Sequence, residues 1–151
     1  IVNHHNIKDW KLHIVGDGNL KETYIKKIKD LNLESYIKIL PPKKEVEDYY
    51  KEASLFLLTS QSEGFGMVIL EAMSFGLPCV SYDCPSGPRD MVENSKTGYL
   101  VPFDHFEELE KSTLDLLQNP QKVKEFGENA FEASNNWNDE FILEKWKKIL
   151  N

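Results

Sequence analysis

The sequence has almost no arginine. Of its 18 basic residues only Arg89 is an arginine, and 25 acidic residues leave a net charge of −7. A surface that binds nucleic acid needs clustered arginine and lysine. The composition therefore argues against a nucleic-acid partner.

Cysteine is also scarce. Cys79 and Cys84 are the two cysteines, in and just after a predicted strand, and no histidine stands at metal-ligand spacing from them. Zinc sites need four ligands at characteristic spacings, and disulfide frameworks need more cysteine pairs. We therefore expect a reduced, cytoplasmic setting, no bound metal and no cofactor.

Long apolar runs are missing. No segment approaches the roughly 20 apolar residues of a membrane span, and no signal peptide opens the chain. We expect a soluble protein. A length of 151 residues indicates one domain, residues 1–151. Because the chain opens on Ile1 rather than on Met, and because the polar segment before the first predicted strand reads as a helix end, we expect a fragment of a longer protein.

Short apolar runs alternate with helical patterns along most of the chain. This order predicts an α/β fold, a Rossmann-like parallel sheet flanked by helices on both faces. The predicted strands are WKLHIV (10–15), IKIL (37–40), SLFLLT (54–59), PCVSY (78–82) and YLV (99–101). The predicted helices are 20–31, 44–53, 66–76, 88–93, 104–119, 121–133 and 138–150.

Local sequence patterns predict where one helix starts and how far two helices are buried. Asp104 and Glu107 have the spacing of a capping box, which predicts a helix start at Asp104. Phe106 begins its predicted buried stripe, with Leu109, Leu116 and Leu117. The helix after Gly66 is apolar on nearly every side, which predicts that it is covered on most sides.

Two glycine-containing loops follow predicted strands. Gly16-Asp17-Gly18 begins like a dinucleotide fingerprint, but Lys21 replaces the third glycine, so a simple tight turn is an equal alternative. In the second loop, Glu63-Gly64-Phe65-Gly66, glycine lets a ligand approach the backbone. The N–H groups that open the next helix can hold a phosphate.

Glu71 lies in a strongly apolar part of that helix. It could be an exposed edge residue, a partner of a lysine, or a ligand-binding group, because a buried charge needs a partner. It stands about one and a half turns into the helix, with its side chain tilted toward the helix start. A diphosphate docked there would lie between Glu63 and Glu71, which is the layout that a nucleotide sugar requires.

These residues carry a family resemblance. Glu63 and Glu71, with seven residues between them in SEGFGMVILEAMSFGLPCVSYD, resemble the E-x7-E signature of family four of the retaining glycosyltransferases. The segments VGDGNL, YYKEASLFLLTS, GLPCVSYD and TGYLVP also match that family in order. The resemblance implies the C-terminal, donor-binding half of the two-domain GT-B architecture, without its N-terminal acceptor domain.

The resemblance also implies roles for individual residues. Glu63 would be the catalytic residue that holds the donor-sugar hydroxyls, and Glu71 would bind the ribose diol. The remaining binding residues would contact the phosphates, the sugar, the base or the nucleotide pocket: Gly64, Phe65, Gly66 and Met67 through backbone N–H groups, Leu40 at the base, and Gly16 at the border of the pocket.

The implied reaction is hexosyl transfer, with retention and without a metal, from a UDP-sugar to a bacterial glycan or glycolipid acceptor. The implied location is the cytoplasm, at the inner face of the membrane. We expect the isolated fragment to be inactive, because the family's diphosphate-binding arginine and lysine lie upstream of VGDG. Arg89 is expected to pair locally rather than replace them. The alternatives are a GT-B sugar-nucleotide epimerase and an inactive nucleotide-binding module.

Overall fold

A computed structural model describes Ile1, His5 and residues 7–150, apart from the side chain of Asp139. The chain divides into two compact units, Ile1–Val46 and Glu47–Asn151. The predicted order of strands and helices is confirmed in both units.

The first unit is a strand–helix–strand motif. Strand β1 is Leu12–Val15, helix α1 is Lys21–Asp30 and strand β2 is Ile37–Leu40. The two strands are parallel, with Val15 opposite Leu40 at their carboxyl ends. Asn32, which follows the C-cap Leu31, adopts a φ of 55°, so the chain turns there toward β2.

The second unit contains a three-stranded parallel sheet. The elements in chain order are α2 (Glu47–Glu52), β3 (Phe56–Leu58), α3 (Met67–Ser74), β4 (Cys79–Asp83), α4 (Pro88–Met91), β5 (Gly98–Pro102), α5 (Phe106–Gln118), α6 (Pro120–Ser134), a 3-10 turn (Asn135–Trp137) and α7 (Asp139–Leu150). The strand order is β3-β4-β5, so β4 is central. Because all three strands run the same way, their following loops emerge at one edge of this sheet.

The core of this unit lies on both faces of β4. On one face, Cys79 packs in a cluster with Ile69 and Met73 of α3. On the other face, Val80 packs with Leu116 of α5 and Phe126 of α6. Full burial of side chains of this size contributes about 1.5–3 kcal/mol each. Helices therefore cover both faces of the sheet, as the alternating pattern predicts.

A polar cluster joins the last strand to the two long helices. The Tyr99 hydroxyl donates to Asp115 Oδ2 at 2.6 Å, and Lys122 Nζ lies 2.8 Å from the same oxygen. The hydrogen bond from Lys122, followed by that from Tyr99, lowers the pKa of the Asp115 carboxyl. The carboxylate thus ties β5, α5 and α6 together.

The predicted N-cap of α5, Asp104, is wrong by one residue. Asp104 has a φ of 66°, which is outside the helical region, and His105 is the N-cap without a side-chain capping bond. The turn is instead closed by His105 N–H, which donates to the Pro102 carbonyl at 3.1 Å. Because the helix starts later than predicted, Phe106 occupies its first position and is 66% exposed rather than buried.

Helix α3 is less covered than its composition predicts. Ile69, Ala72 and Met73 are fully buried, whereas Met67 and Val68 in its first turn are 53% and 37% exposed. The uncovered side chains belong to the turn that follows the Glu63–Gly66 loop. The first turn of α3 is consequently accessible from outside the unit.

Helix α7 exposes much of its apolar surface. Trp146 is 57% exposed and Ile149 is 73% exposed. Its last turn is basic, with Lys147 and Lys148. Of the helices in the described residues, none is both long enough and apolar enough to cross a membrane.

Candidate functional site

The loop between β3 and α3 is built around a glycine cap. Gly66 is the N-cap of α3 with a φ of 84°, a conformation that residues with a Cβ rarely adopt. Its carbonyl accepts the Ile69 N–H at 2.8 Å, and no side chain caps the helix. The N–H groups of an uncapped first turn, next to exposed Met67 and Val68, are suited to hold an anion.

A second glycine holds this loop from the neighbouring strand end. Gly87, which follows β4, has a φ of 89° and lies against the backbone of Phe65. A Cβ added to Gly87 would overlap the Phe65 carbonyl oxygen. Sequence reasoning missed this role, although a glycine directly before Pro88 in a strand-end loop is a usable signal.

The Phe65 side chain also packs against a residue from a distant part of the sequence. Its ring packs edge-on against Trp137, with 5.5 Å between the ring centroids. Trp137 belongs to the 3-10 turn after α6, so a residue 72 positions downstream supports the loop. The main-chain contact with Gly87 and the ring contact with Trp137 fix the loop at two points.

Glu71 is half-buried and paired with a tyrosine. Tyr50 of α2 donates its hydroxyl hydrogen to Glu71 Oε2 at 3.0 Å. Burial, and then the hydrogen bond to Glu71, raises the pKa of Tyr50, so its hydroxyl remains a donor at neutral pH. The partner of Glu71 is therefore Tyr50 rather than a lysine. No local sequence pattern around Glu71 indicates this tyrosine.

Glu63 differs from Glu71 in its surroundings. It lies half-buried in the loop, and within the described part of the chain no hydrogen bond or ion pair holds its carboxylate. Apart from its two chain neighbours, Gly64 has no heavy atom within 4 Å of the place where a Cβ would lie. The carboxylate and the adjacent backbone thus have space for a ligand.

Arg89 is paired locally, as predicted. Its Nε lies 3.0 Å from Asp83 Oδ1 at the end of β4. Asp90 accepts a long hydrogen bond from the Gly87 N–H, at 3.4 Å, at the start of α4. Both charges therefore organise the loop after β4.

Neither the Cys79 thiol nor a metal-binding cluster supplies reactive chemistry in the described residues. Burial raises the pKa of the Cys79 thiol to about 12, so it is protonated at neutral pH and is a poor nucleophile. The described residues bring no three histidine, cysteine or acidic side chains together in a metal-binding group.

Gly16 and Leu40 are brought together in the first unit. The Gly16 N–H donates to the Leu40 carbonyl at 3.0 Å, which extends the parallel pairing beyond Val15. The remaining predicted site residues, Glu63, Gly64, Phe65, Gly66, Met67 and Glu71, all lie in the second unit, on one loop and the helix after it.

The fold and this loop define an α/β domain of the GT-B type, with its candidate site at the carboxyl end of a parallel sheet. Residues 2–133 match the model of the family described as "Glycosyl transferases group 1". The chain belongs to that family of glycosyltransferases.

Three relatives illustrate the similarity. The amylovoran biosynthesis glycosyltransferase AmsD of Erwinia amylovora is 36% identical over 142 residues, covering 94% of this chain and 40% of AmsD. The crystal structure of TarM superposes with a TM-score of 0.88 at 33% identity, covering 99% of this chain and 30% of TarM. The pneumococcal O-GlcNAc transferase GtfA, solved with UDP and GlcNAc, gives 0.79 at 28% identity, covering 92% and 28%.

These comparisons confirm the predicted family and the GT-B fold. The chain spans 40% of the length of AmsD and about 30% of the length of the two solved relatives. The relatives include bacterial glycosyltransferases, of which AmsD is named for amylovoran biosynthesis.

Proposed function

We propose that this chain is the C-terminal donor-binding domain of a retaining glycosyltransferase that takes a hexosyl group from a UDP-sugar. The observation that carries the proposal concerns Glu71, on the helix that follows the Gly66 cap. Its carboxylate is half-buried and is held by a hydrogen bond from Tyr50. A half-buried, oriented carboxylate near an uncapped helix start fits a ligand with both hydroxyls and phosphate. The UDP and GlcNAc bound to the relative GtfA support the ligand class.

In this proposal each part of the site binds one part of the donor. Glu71 accepts hydrogen bonds from the ribose hydroxyls, and the amides of Gly64, Phe65, Gly66 and Met67 contact the sugar and the distal phosphate. As the bond to the sugar breaks, negative charge grows on the departing diphosphate. Backbone N–H groups that are already aimed at that charge stabilise the transition state without reorganisation.

Glu63 has a separate role in the proposed mechanism. Its carboxylate has no partner within the described residues, so it can accept hydroxyls of the transferred sugar and position the anomeric carbon. Gly16 and Leu40, joined by a backbone hydrogen bond, are assigned to the nucleotide pocket and the base. No metal or other cofactor takes part in the proposed reaction.

The proposed acceptor is a glycan or glycolipid at the inner face of the bacterial membrane, bound with the help of an N-terminal acceptor domain. The support is the amylovoran biosynthesis for which the bacterial relative AmsD is named. Product analysis with the full-length protein tests the reaction: release of UDP with a lengthened acceptor and a retained anomeric configuration is expected. A free UDP-sugar with an inverted centre would indicate an epimerase instead, and binding without turnover would indicate an inactive module.

The ribose role of Glu71 is tested by Glu71→Gln in the full-length protein. We expect UDP affinity to fall about tenfold, because a hydrogen bond to a charged acceptor contributes about 1.5–3 kcal/mol and an amide replaces only part of it. Isothermal titration calorimetry measures the change, with Glu125→Gln on the exposed face of α6 as the matched control. Equal UDP affinity in Glu71→Gln and the parent would contradict the proposed role.

A further inference from the structure

Glu71 has a fixed partner on a different element. The Tyr50 hydroxyl on α2 contacts one carboxylate oxygen, Oε2, at 3.0 Å. An ionised carboxylate has about four lone-pair positions, so one hydrogen bond leaves the others available to a ligand. Tyr50 can therefore hold Glu71 without occupying all of its acceptor capacity.

The Tyr50 ring is itself held by two aromatic side chains. It stacks on Phe75, directly after α3, with 5.5 Å between centroids and an interplanar angle of 23°. It meets Phe56 of β3 edge-on at 6.1 Å. Contacts with Phe75, which follows α3, and with Phe56 of β3 thus fix the position from which the hydroxyl points at Glu71.

We propose that Tyr50 is a positioning residue, which orients the Glu71 carboxylate for the ribose hydroxyls of the nucleotide before the nucleotide binds. This inference rests on the proposed function of the site. A free glutamate side chain has several rotamers, and fixing one of them opposes binding. A carboxylate that is already held by Tyr50 avoids that loss when the ligand arrives.

The hydroxyl can be removed while the ring remains. Tyr50→Phe keeps both aromatic contacts and deletes only the donor to Oε2. Tyr99→Phe is a matched control, because Tyr99 also donates to a carboxylate, Asp115, at 2.6 Å, but on α5 and outside the site. Thermal unfolding and circular dichroism of both variants report whether the fold is kept.

The experiment compares two ligands by calorimetry on the full-length protein: UDP, and a UDP analogue whose ribose lacks both hydroxyls. We expect the parent to prefer UDP. Tyr50→Phe should lose roughly three- to tenfold in UDP affinity, the scale of one hydrogen bond, with no change for the analogue. Tyr99→Phe should match the parent with both ligands, and in a Glu71→Gln background Tyr50→Phe should have no further effect.

The possible failures are distinguishable. A parent protein that does not bind UDP, or binds UDP and the analogue equally, overturns the proposed ribose site. If the parent prefers UDP over the analogue and the Tyr50→Phe variant shows the same preference, only the positioning role is overturned. An equal loss for both ligands also overturns that role, because it reports a structural defect rather than misplacement of Glu71.

Discussion

At the scale of single residues, Glu63 and Glu71 have the same type of side chain but different surroundings. Glu71 is anchored by Tyr50, whereas Glu63 has no partner within the described residues. A carboxylate that is held before binding suits the part of the donor that stays the same, the nucleotide. A carboxylate without a partner suits the group that is transferred, because its hydrogen bonds can strengthen as the reaction proceeds.

This difference predicts a separation of effects for Glu63→Ala in the full-length enzyme. We expect turnover to fall roughly 100-fold, the scale of losing one oriented polar group at a reacting centre. UDP affinity should stay close to that of the parent, because the proposed partner of Glu63 is the sugar. Steady-state kinetics and UDP calorimetry give the two quantities. Losses of equal size in turnover and in UDP affinity would place Glu63 on the nucleotide.

The sequence predicts the two carboxylates but not what holds them. Their spacing and the glycines between them are visible in one short segment, so a candidate site can be proposed from the sequence alone. Tyr50 is 21 positions before Glu71 and is brought to it by the packing of α2 against other elements. Trp137 supports Phe65 from even farther along the chain. Contacts of this kind depend on tertiary structure, which local periodicity does not encode.

At the scale of elements, the β3–α3 loop depends on the loop that follows β4. Gly87→Ala places a Cβ against the Phe65 carbonyl oxygen and requires a φ of 89° from a residue with a side chain. We expect destabilisation of at least about 2 kcal/mol and loss of glycosyl transfer, because the loop must shift away. Thermal or denaturant unfolding measures the first effect and a transfer assay the second.

The control for Gly87→Ala is another loop glycine. Gly18 has open space where a Cβ would lie, and its φ is outside the left-handed range. Gly18→Ala should therefore leave the unfolding midpoint close to that of the parent. Parent-like stability and transfer in Gly87→Ala would show that the two loops are not mechanically linked.

Element positions are predicted well where apolar periodicity is strong. The strand IKIL is predicted residue for residue, and α6 differs from its prediction by one residue at each end. Ends decided by a turn are harder to predict: the capping-box spacing of Asp104 and Glu107 is present, but Asp104 adopts a φ of 66° and α5 starts later. The conformation of the preceding turn, rather than the helix sequence, sets that boundary.

At the scale of the whole molecule, the matched relatives are longer than this chain. The chain covers 40% of AmsD and 30% of TarM, so most of each relative lies outside the matched segment. In the second unit the candidate loop carries Glu63, and the arginine after β4 is paired with Asp83. The proposed reaction also requires an acceptor and cations for the departing diphosphate. We assign both to protein outside these 151 residues.

This assignment predicts that the 151-residue chain alone folds but does not transfer sugar. Its two apolar clusters around β4 provide a core, so cooperative unfolding is expected by circular dichroism. Correct placement of two reactants can lower a barrier by about 7–11 kcal/mol, and without a positioned acceptor that contribution is lost.

Binding of UDP should be weaker than in the full-length protein, because the helix-start amides remain but the cationic partners do not. Radiolabelled transfer assays compare the two proteins at equal concentration, and a transfer rate for the isolated chain comparable with that of the full-length protein would overturn the assignment.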